Sequence, residues 1–338
     1  MSIKIGVLDQ SPIHEGETAA QALRNTIKLA QRVEELGFTR FWVSEHHDSE
    51  QVAGSSPEVL ISHLLARTER ITIGSGGVML QHYSPYKVAE NFNVLASLAP
   101  GRVDLGIGRA PGGLPKSTQA LQRNVHDAPS LEEKIDEVSR YIHNIPPEEG
   151  PLAGLQANPI PETPADIYVL GTSTDSAGIA ARLGLPYVFS QFINSSEQVA
   201  LDSFRTYRES FDYSYGREPK ALFALSVIVA DTSKEAAELA GEQKLYKIHL
   251  ASGKTATVGA LESAEEFGKQ SGEEYTIEVT EAQINKGNKD EIYAALTDIQ
   301  AKYQADELIV TTGIRDIEKR VRSFELLHEA FAGLPVQF

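Results

Sequence analysis

The chain has 338 residues, of which 41% are hydrophobic and 7% aromatic. That is enough to bury one large core, and a strand–helix barrel of this length needs no second domain. A formal charge of -16 with no Lys/Arg cluster argues against nucleic acid and anionic membrane as partners; zero cysteines exclude disulfides, thiolate catalysis and zinc–thiolate sites.

The N-terminus, Met1-Ser-Ile-Lys-Ile-Gly6, runs directly into a strand-like segment (residues 3–8) with no basic-then-apolar leader, and no apolar run approaches the roughly 18 residues of a membrane span. A cytoplasmic protein is the expectation. Apolar residues at Ala19, Leu23, Ile27, Ala30, Val33 and Leu36 have helical spacing and stop at Gly37. A strand follows over 40–44, and Glu45, His46 and His47 lie just past its C-terminal end, where α/β proteins bind their ligands. Neighbouring strand residues point to opposite faces, so His46 and His47 do not chelate one metal unless the backbone leaves strand geometry. His63, His82, His126 and His143 are isolated and supply no further ligand set. Read alone, the Glu-His-His run is equally compatible with simple surface polarity.

Residues 71–74 open the next strand, and Gly74, Gly76 and Gly77 within Ile71-Thr-Ile-Gly-Ser-Gly-Gly-Val-Met-Leu80 permit close approach of a flat ligand to the backbone. The strand at 103–107 leads into Asp104-Leu-Gly-Ile-Gly-Arg-Ala-Pro-Gly-Gly113. Here Gly106 and Gly108 allow a sharp bend, and Arg109 carries a forked guanidinium suited to phosphate. The run Ala110-Pro-Gly-Gly-Leu-Pro115 is not expected to open a helix, so the motif fails as a dinucleotide fingerprint. A glycine-rich turn with a solvated arginine is the alternative. Residues 110–129 and the proline-rich 144–164 form long connections, a length usually associated with function or mobility.

The strand at 167–170 meets a small-residue turn, Gly171-Thr-Ser-Thr-Asp-Ser176, and then a helix. Ser173 or Thr174 caps that helix, leaving outward backbone N–H groups ringed by hydroxyls, a phosphate cradle or an ordinary N-cap. Further strands are expected at 187–190, 222–230 and 307–310. Glu35-Leu-Gly-Phe-Thr-Arg-Phe-Trp-Val-Ser44 and Arg182-Leu-Gly-Leu-Pro-Tyr-Val-Phe-Ser190 echo one another as helix end, glycine stop and strand. Eight strands alternating with helices predict an α/β fold, a closed (β/α)8 TIM barrel with insertions; an open doubly wound sheet is the alternative. One domain spans 1–338, with an insertion at about 247–289 expected to act as a mobile lid or as a solvated excursion.

In order and content, Phe41-Trp-Val-Ser-Glu-His-His47, Ile73-Gly-Ser-Gly-Gly-Val-Met-Leu80, Pro100-Gly-Arg-Val-Asp-Leu-Gly-Ile-Gly-Arg109 and Tyr168-Val-Leu-Gly-Thr-Ser-Thr-Asp-Ser176 resemble the bacterial luciferase-like, flavin-dependent monooxygenase family. The resemblance runs from residue 3 to about residue 334. It implies a barrel that binds reduced FMN at the strands' C-terminal face, with the phosphate on Arg109, Thr172, Ser173 and Ser176 and the ring system over Ser75 and Gly76. It also implies a cis peptide at Ser75-Gly76. His46 would be the catalytic imidazole and Glu45 a flavin-proximal acid, with His47 in support; an ordinary histidine pKa near 6.5 suits proton transfer. The implied activity is that of an FMNH2-dependent monooxygenase, which activates O2 as a flavin hydroperoxide to oxidise a small organic substrate. The FMNH2 would come from a separate NAD(P)H:FMN reductase, since no dinucleotide fingerprint is present.

No cysteine precedes Arg109, and Thr172 stands where luciferases carry an acid, so light emission is not implied. A homodimer through segments 56–67 and 85–98 is a further implication of the resemblance. Pocket lining is expected from Leu8, Gln10, Tyr83 and Gln191. The alternatives are a deazaflavin-dependent dehydrogenase, a non-catalytic flavin-binding protein and a metal-dependent barrel hydrolase.

Overall fold

The computed structural model describes residues 3–123 and 129–332; His126 lies outside them. Its strands are β1 (Lys4–Asp9), β2 (Arg40–Val43), β3 (Thr72–Met79), β4 (Val103–Gly108), β5 (Asp166–Gly171), β6 (Tyr187–Ser190), β7 (Ala221–Val229), β8 (Lys244–Leu250), β9 (Thr255–Val258), β10 (Tyr275–Glu281), β11 (Ile284–Gly287) and β12 (Glu307–Thr311). The helices are α1 (Ala19–Glu35), α2 (Pro57–Leu65), α3 (Pro85–Leu98), α4 (Pro115–Leu121), α5 (Leu131–Ile142), α6 (Thr174–Arg182), α7 (Glu197–Glu209), α8 (Ser233–Ala240), α9 (Leu261–Ser271), α10 (Lys289–Tyr303) and α11 (Ile317–Phe331).

Local chemistry sets many of these boundaries. Thr18 and Gln21 form a capping box at the start of α1, which buries Ala22, Thr26, Leu29, Ala30 and Val33 along one stripe. Gly37, at φ 81°, and Gly184, at φ 58°, turn the chain out of α1 and α6 in the left-handed conformation. All pairings around the ring β1-β2-β3-β4-β5-β6-β7-β12 are parallel, and β12 returns to β1 through Lys4 opposite Glu307, closing the barrel. The large core lies between strands and helices. A smaller cluster of Leu8, Trp42, Tyr168, Val188, Leu222, Ala224 and Ile309 fills the barrel interior.

Ions seal the N-terminal end of that interior. The Arg40 guanidinium bonds Asp104, reaches Glu307 Oε1 at 2.8 Å and Tyr168 Oη at 3.0 Å, and lies over the Tyr168 ring at 5.0 Å. Trp42 Nε1 donates to Asp104 Oδ2 at 2.8 Å, and Lys220 Nζ to Tyr168 Oη at 3.0 Å. A methyl group on Gly6 would sit 2.5 Å from Arg40 Cγ, so the arginine's stem occupies the space that glycine leaves.

Three features differ from the sequence expectation. Residues 110–129 are not wholly irregular, because α4 starts at Pro115, whose missing N–H costs nothing at a first helical position. The insertion at about 247–289 is not a solvated excursion: β10, β8 and β9 form an antiparallel sheet backed by α9, around Ile248, Leu250 and Ala264. The non-proline cis peptide is Gly76-Gly77, one bond later than expected. Ser75 still keeps regular register with Val43 and Leu105, and the ladder shifts only between Ser75 and Val78. No helix among the described residues is long and apolar enough to cross a membrane.

Replacing Arg40 by Met should cost about 3–5 kcal/mol, because two buried carboxylates lose their cation. Urea unfolding checks this. A loss below about 1 kcal/mol would mean that the ions do not hold the barrel floor.

Candidate active site

Past the end of β2 the backbone keeps its alternation, and this sorts four residues into two pairs. Ser44 and His46 face one way, with Ser44 Oγ 3.1 Å from His46 Nδ1; Glu45 and His47 face the other, with Glu45 Oε1 2.6 Å from His47 Nε2. Glu45 is fully buried and its oxygens are engaged: Oε2 accepts from the Met79 N–H at 3.0 Å, and Oε1 also accepts from Tyr83 Oη at 2.7 Å. Burial and this carboxylate push the Tyr83 phenol well up. Glu45 thus ties the end of β2 to the turn after β3. His82 extends the network, its Nε2 2.8 Å from the Pro111 carbonyl and its Nδ1 3.0 Å from Gln122 Nε2. Lys134 Nζ donates to the carbonyls of Leu80, Gln81 and Tyr83 behind it.

His46 is half-buried, and its backbone N–H is fixed to the Gly54 carbonyl at 2.8 Å. Burial, reinforced by the neighbouring His47, lowers its pKa from 6.5 to about 4. It is therefore a neutral imidazole at physiological pH and not the freely titrating group that an ordinary histidine pKa suggested.

Glycines of β3 and β4 allow close packing that a side chain would prevent. A Cβ on Gly76 would lie 2.8 Å from Leu8 Cδ1, and one on Gly106 would lie 2.1 Å from the Ser75 carbonyl oxygen. The Ser75 hydroxyl is fully buried and donates to the Gly106 carbonyl at 2.8 Å, so it is committed within the barrel wall.

At the ends of β4 and β5 lie the residues expected to form an anion cradle. Ser173 is the N-cap of α6, and Ser176 sits at its third helical position in a capping box. The first-turn N–H groups of Thr174 and Asp175 have no intrahelical acceptor. A Cβ on Gly171 would lie 2.0 Å from Ser176 Oγ, so the turn closes only around glycine. Ser176 Oγ is buried, donates to the Ser173 carbonyl at 2.8 Å and lies 3.2 Å from Tyr187 Oη; it braces the cradle from behind. The Thr172 carbonyl accepts from Asn194 Nδ2 at 3.0 Å. Arg109, just past β4, is exposed at the rim and donates from Nη1 to Asp175 Oδ2 at 2.7 Å.

Arg109, Thr172, Ser173 and Ser176 thus gather at one rim and Glu45, His46 and His47 at another, with Gly76 between them in strand order. The donor set fits a phosphate. Ser44, Asp175 and Met79 were missed by motif reading. The period-2 spacing of Ser44 and His46 was the signal for the first, and Asp175 is visible only once β4 and β5 are known to be neighbours.

The His46 titration gives a direct check. Because the folded pKa lies below the unfolded one, its contribution to stability is complete above about pH 6.5 and is lost as pH falls toward 4. Imidazole ¹⁵N NMR should follow His46 with a midpoint near 4, and a midpoint near 6.5 would mean that burial does not desolvate it.

Residues 3–301 match the family model described as Luciferase-like monooxygenase. The chain is 41% identical to the N-acetyl-S-alkylcysteine monooxygenase of Bacillus subtilis (strain 168), over 97% of this chain and 98% of that one. It is 32% identical to a luciferase-like monooxygenase of Escherichia coli (strain K12), over 96% of each chain. Among solved structures, apo-MsnO8 superposes with a TM-score of 0.79 at 30% identity, covering 99% of both chains. The order of its motifs, its closed barrel and these relatives together place the chain in the luciferase-like monooxygenase family.

Proposed function

We propose that the protein uses reduced FMN and O2 to oxygenate a small organic substrate, in the cytoplasm, with the flavin delivered by a separate NAD(P)H:FMN reductase. The observation that carries this reading is the Arg109–Ser173 rim above the α6 N-terminus, on the same end of the barrel as His46. Bound there, reduced FMN would supply the electrons that activate oxygen. Arg109, the Ser173 hydroxyl and the first-turn N–H groups of α6 would hold its phosphate, with the Thr172 backbone completing the turn and Ser176 fixing its shape. The partly exposed backbone of Gly76 would lie against the ring system, with Ser75 beside it.

The neutral His46 imidazole would act there as a fixed hydrogen-bonding group. Glu45, bound to Met79, Tyr83 and His47, positions the loop that carries His46. The unit from β8 to β10 is inserted between β7 and β12, across the ring from β4. Its Gln270 nevertheless accepts from the Lys116 N–H of α4 at 3.1 Å, which supports a covering role over the mouth. Exposed Val59 on α2 and Val94 and Leu98 on α3 support a homodimer through those helices.

Mixing the protein with anaerobically reduced FMN and then with oxygenated buffer should slow flavin reoxidation relative to free FMNH2. An N-acetyl-S-alkylcysteine, the substrate class in the name of the Bacillus relative, is the first to screen, with ¹⁸O₂ incorporation as readout. His46→Ala should lower product formation about 10²-fold. Reoxidation at the free rate, or binding of a deazaflavin in place of FMN, would overturn the proposal.

If the insertion covers the site, FMN should slow limited proteolysis at the turn between β8 and β9. Equal cleavage with and without flavin would rule out the covering role.

A further inference from the structure

Asp175 stands where the proposed ligand would place its own negative charge. It is the second residue of α6, in the turn whose free N–H groups face outward, and its Oδ2 lies 2.7 Å from Arg109 Nη1. The one arginine of this helix, Arg182 at its far end, is committed elsewhere, donating from Nε and Nη2 to both oxygens of Glu132 at 2.8 and 2.6 Å. Arg109 is therefore the cation at the rim that a phosphate would use, and it is paired with a carboxylate. Side-chain exposures of 58% and 64% make this a solvent-screened pair, too weak to lock the site yet fixed at the position an anion would take.

We propose that Asp175 is a built-in competitor for the flavin phosphate: it occupies Arg109 when the site is empty and repels the phosphate when it arrives, so that FMN is held loosely and exchanges. This rests on the flavin reading above and deepens it. A monooxygenase that borrows reduced flavin from a second protein must release oxidised FMN in every cycle, and a carboxylate at the phosphate contact weakens binding without altering the surface that meets the ring system. An acidic residue in a first helical turn also favours the helix through its dipole. That simpler role predicts a loss of stability on neutralisation and no change in flavin preference.

The test compares Kd values for FMN and riboflavin, by quenching of flavin fluorescence, in the wild type, Asp175→Asn and the charge-conserving Asp175→Glu. Asp175→Asn should tighten FMN about fivefold, about 1 kcal/mol at 25 °C, leave riboflavin unchanged and slow FMN release in stopped flow. Asp175→Glu should bind both flavins close to wild type. An unchanged or lower FMN preference in Asp175→Asn overturns the inference while leaving the phosphate site intact, provided that the wild type prefers FMN. If the wild type binds both flavins equally and Asp175→Asn does too, the phosphate site itself is refuted. If the wild type binds neither, Asp175→Asn must bind FMN for the inference to survive.

Discussion

A guanidinium with two carboxylates around it, in a space no wider than a barrel interior, sets the terms for the rest of this molecule. Arg40 joins β2 to Asp104 on β4 and Glu307 on β12, with Tyr168 of β5 against its face and Lys220, just before β7, behind that ring. Because the N-terminal end is closed by ions and aromatic rings, the C-terminal end need not be filled. Gly76 and Gly106 stand where Leu8 and the Ser75 carbonyl leave no space for a side chain, and an apolar cluster that includes Trp42, Leu222 and Ile309 fills the barrel interior. The fixed fork of arginine suits this post. It is always charged and makes directed bonds to several partners at once, whereas an ammonium on a flexible stem is a point charge.

The mouth is built on a second constraint, the alternation of side chains along a strand. From Ser44 to His47 it places one imidazole with a serine and the other with a glutamate, so two adjacent histidines of identical chemistry meet different surroundings. His47 joins a dense polar network with Tyr83. His46 loses solvent and gains little to hold a proton, which is why its pKa is driven toward 4. The same alternation argued, from sequence, against a metal chelated by both rings.

Much of the barrel was legible because its strands are short apolar runs, with glycine stops or caps where the helices end or begin; the expected strand at 187–190 matches β6, and the others differ from their strands by a few residues at the ends. The Arg109 and Ser173 sites were legible as residue types. What was not legible depends on neighbours far away in sequence. The Arg109 partner is 66 residues on. Ser176 read as an available hydroxyl, and only the packing of Tyr187 against it reveals that it is already bonded. The insertion looked poor in apolar periodicity because a three-stranded sheet with one helix needs only a few buried residues, and Ile248, Leu250 and Ala264 are too sparse to stand out.

That small core has a bearing on how such a protein diversifies. The unit from β8 to β10 folds around residues of its own, while α8 and β11 pack with Ile228 and Ile314 at the point where it leaves and rejoins the barrel. Sequence drift within it is confined to its own few buried side chains and to its contact with α4; the Arg40 floor and the Ser173 turn do not feel it. The insertion and the barrel can thus change in sequence on separate evolutionary clocks within one continuous chain.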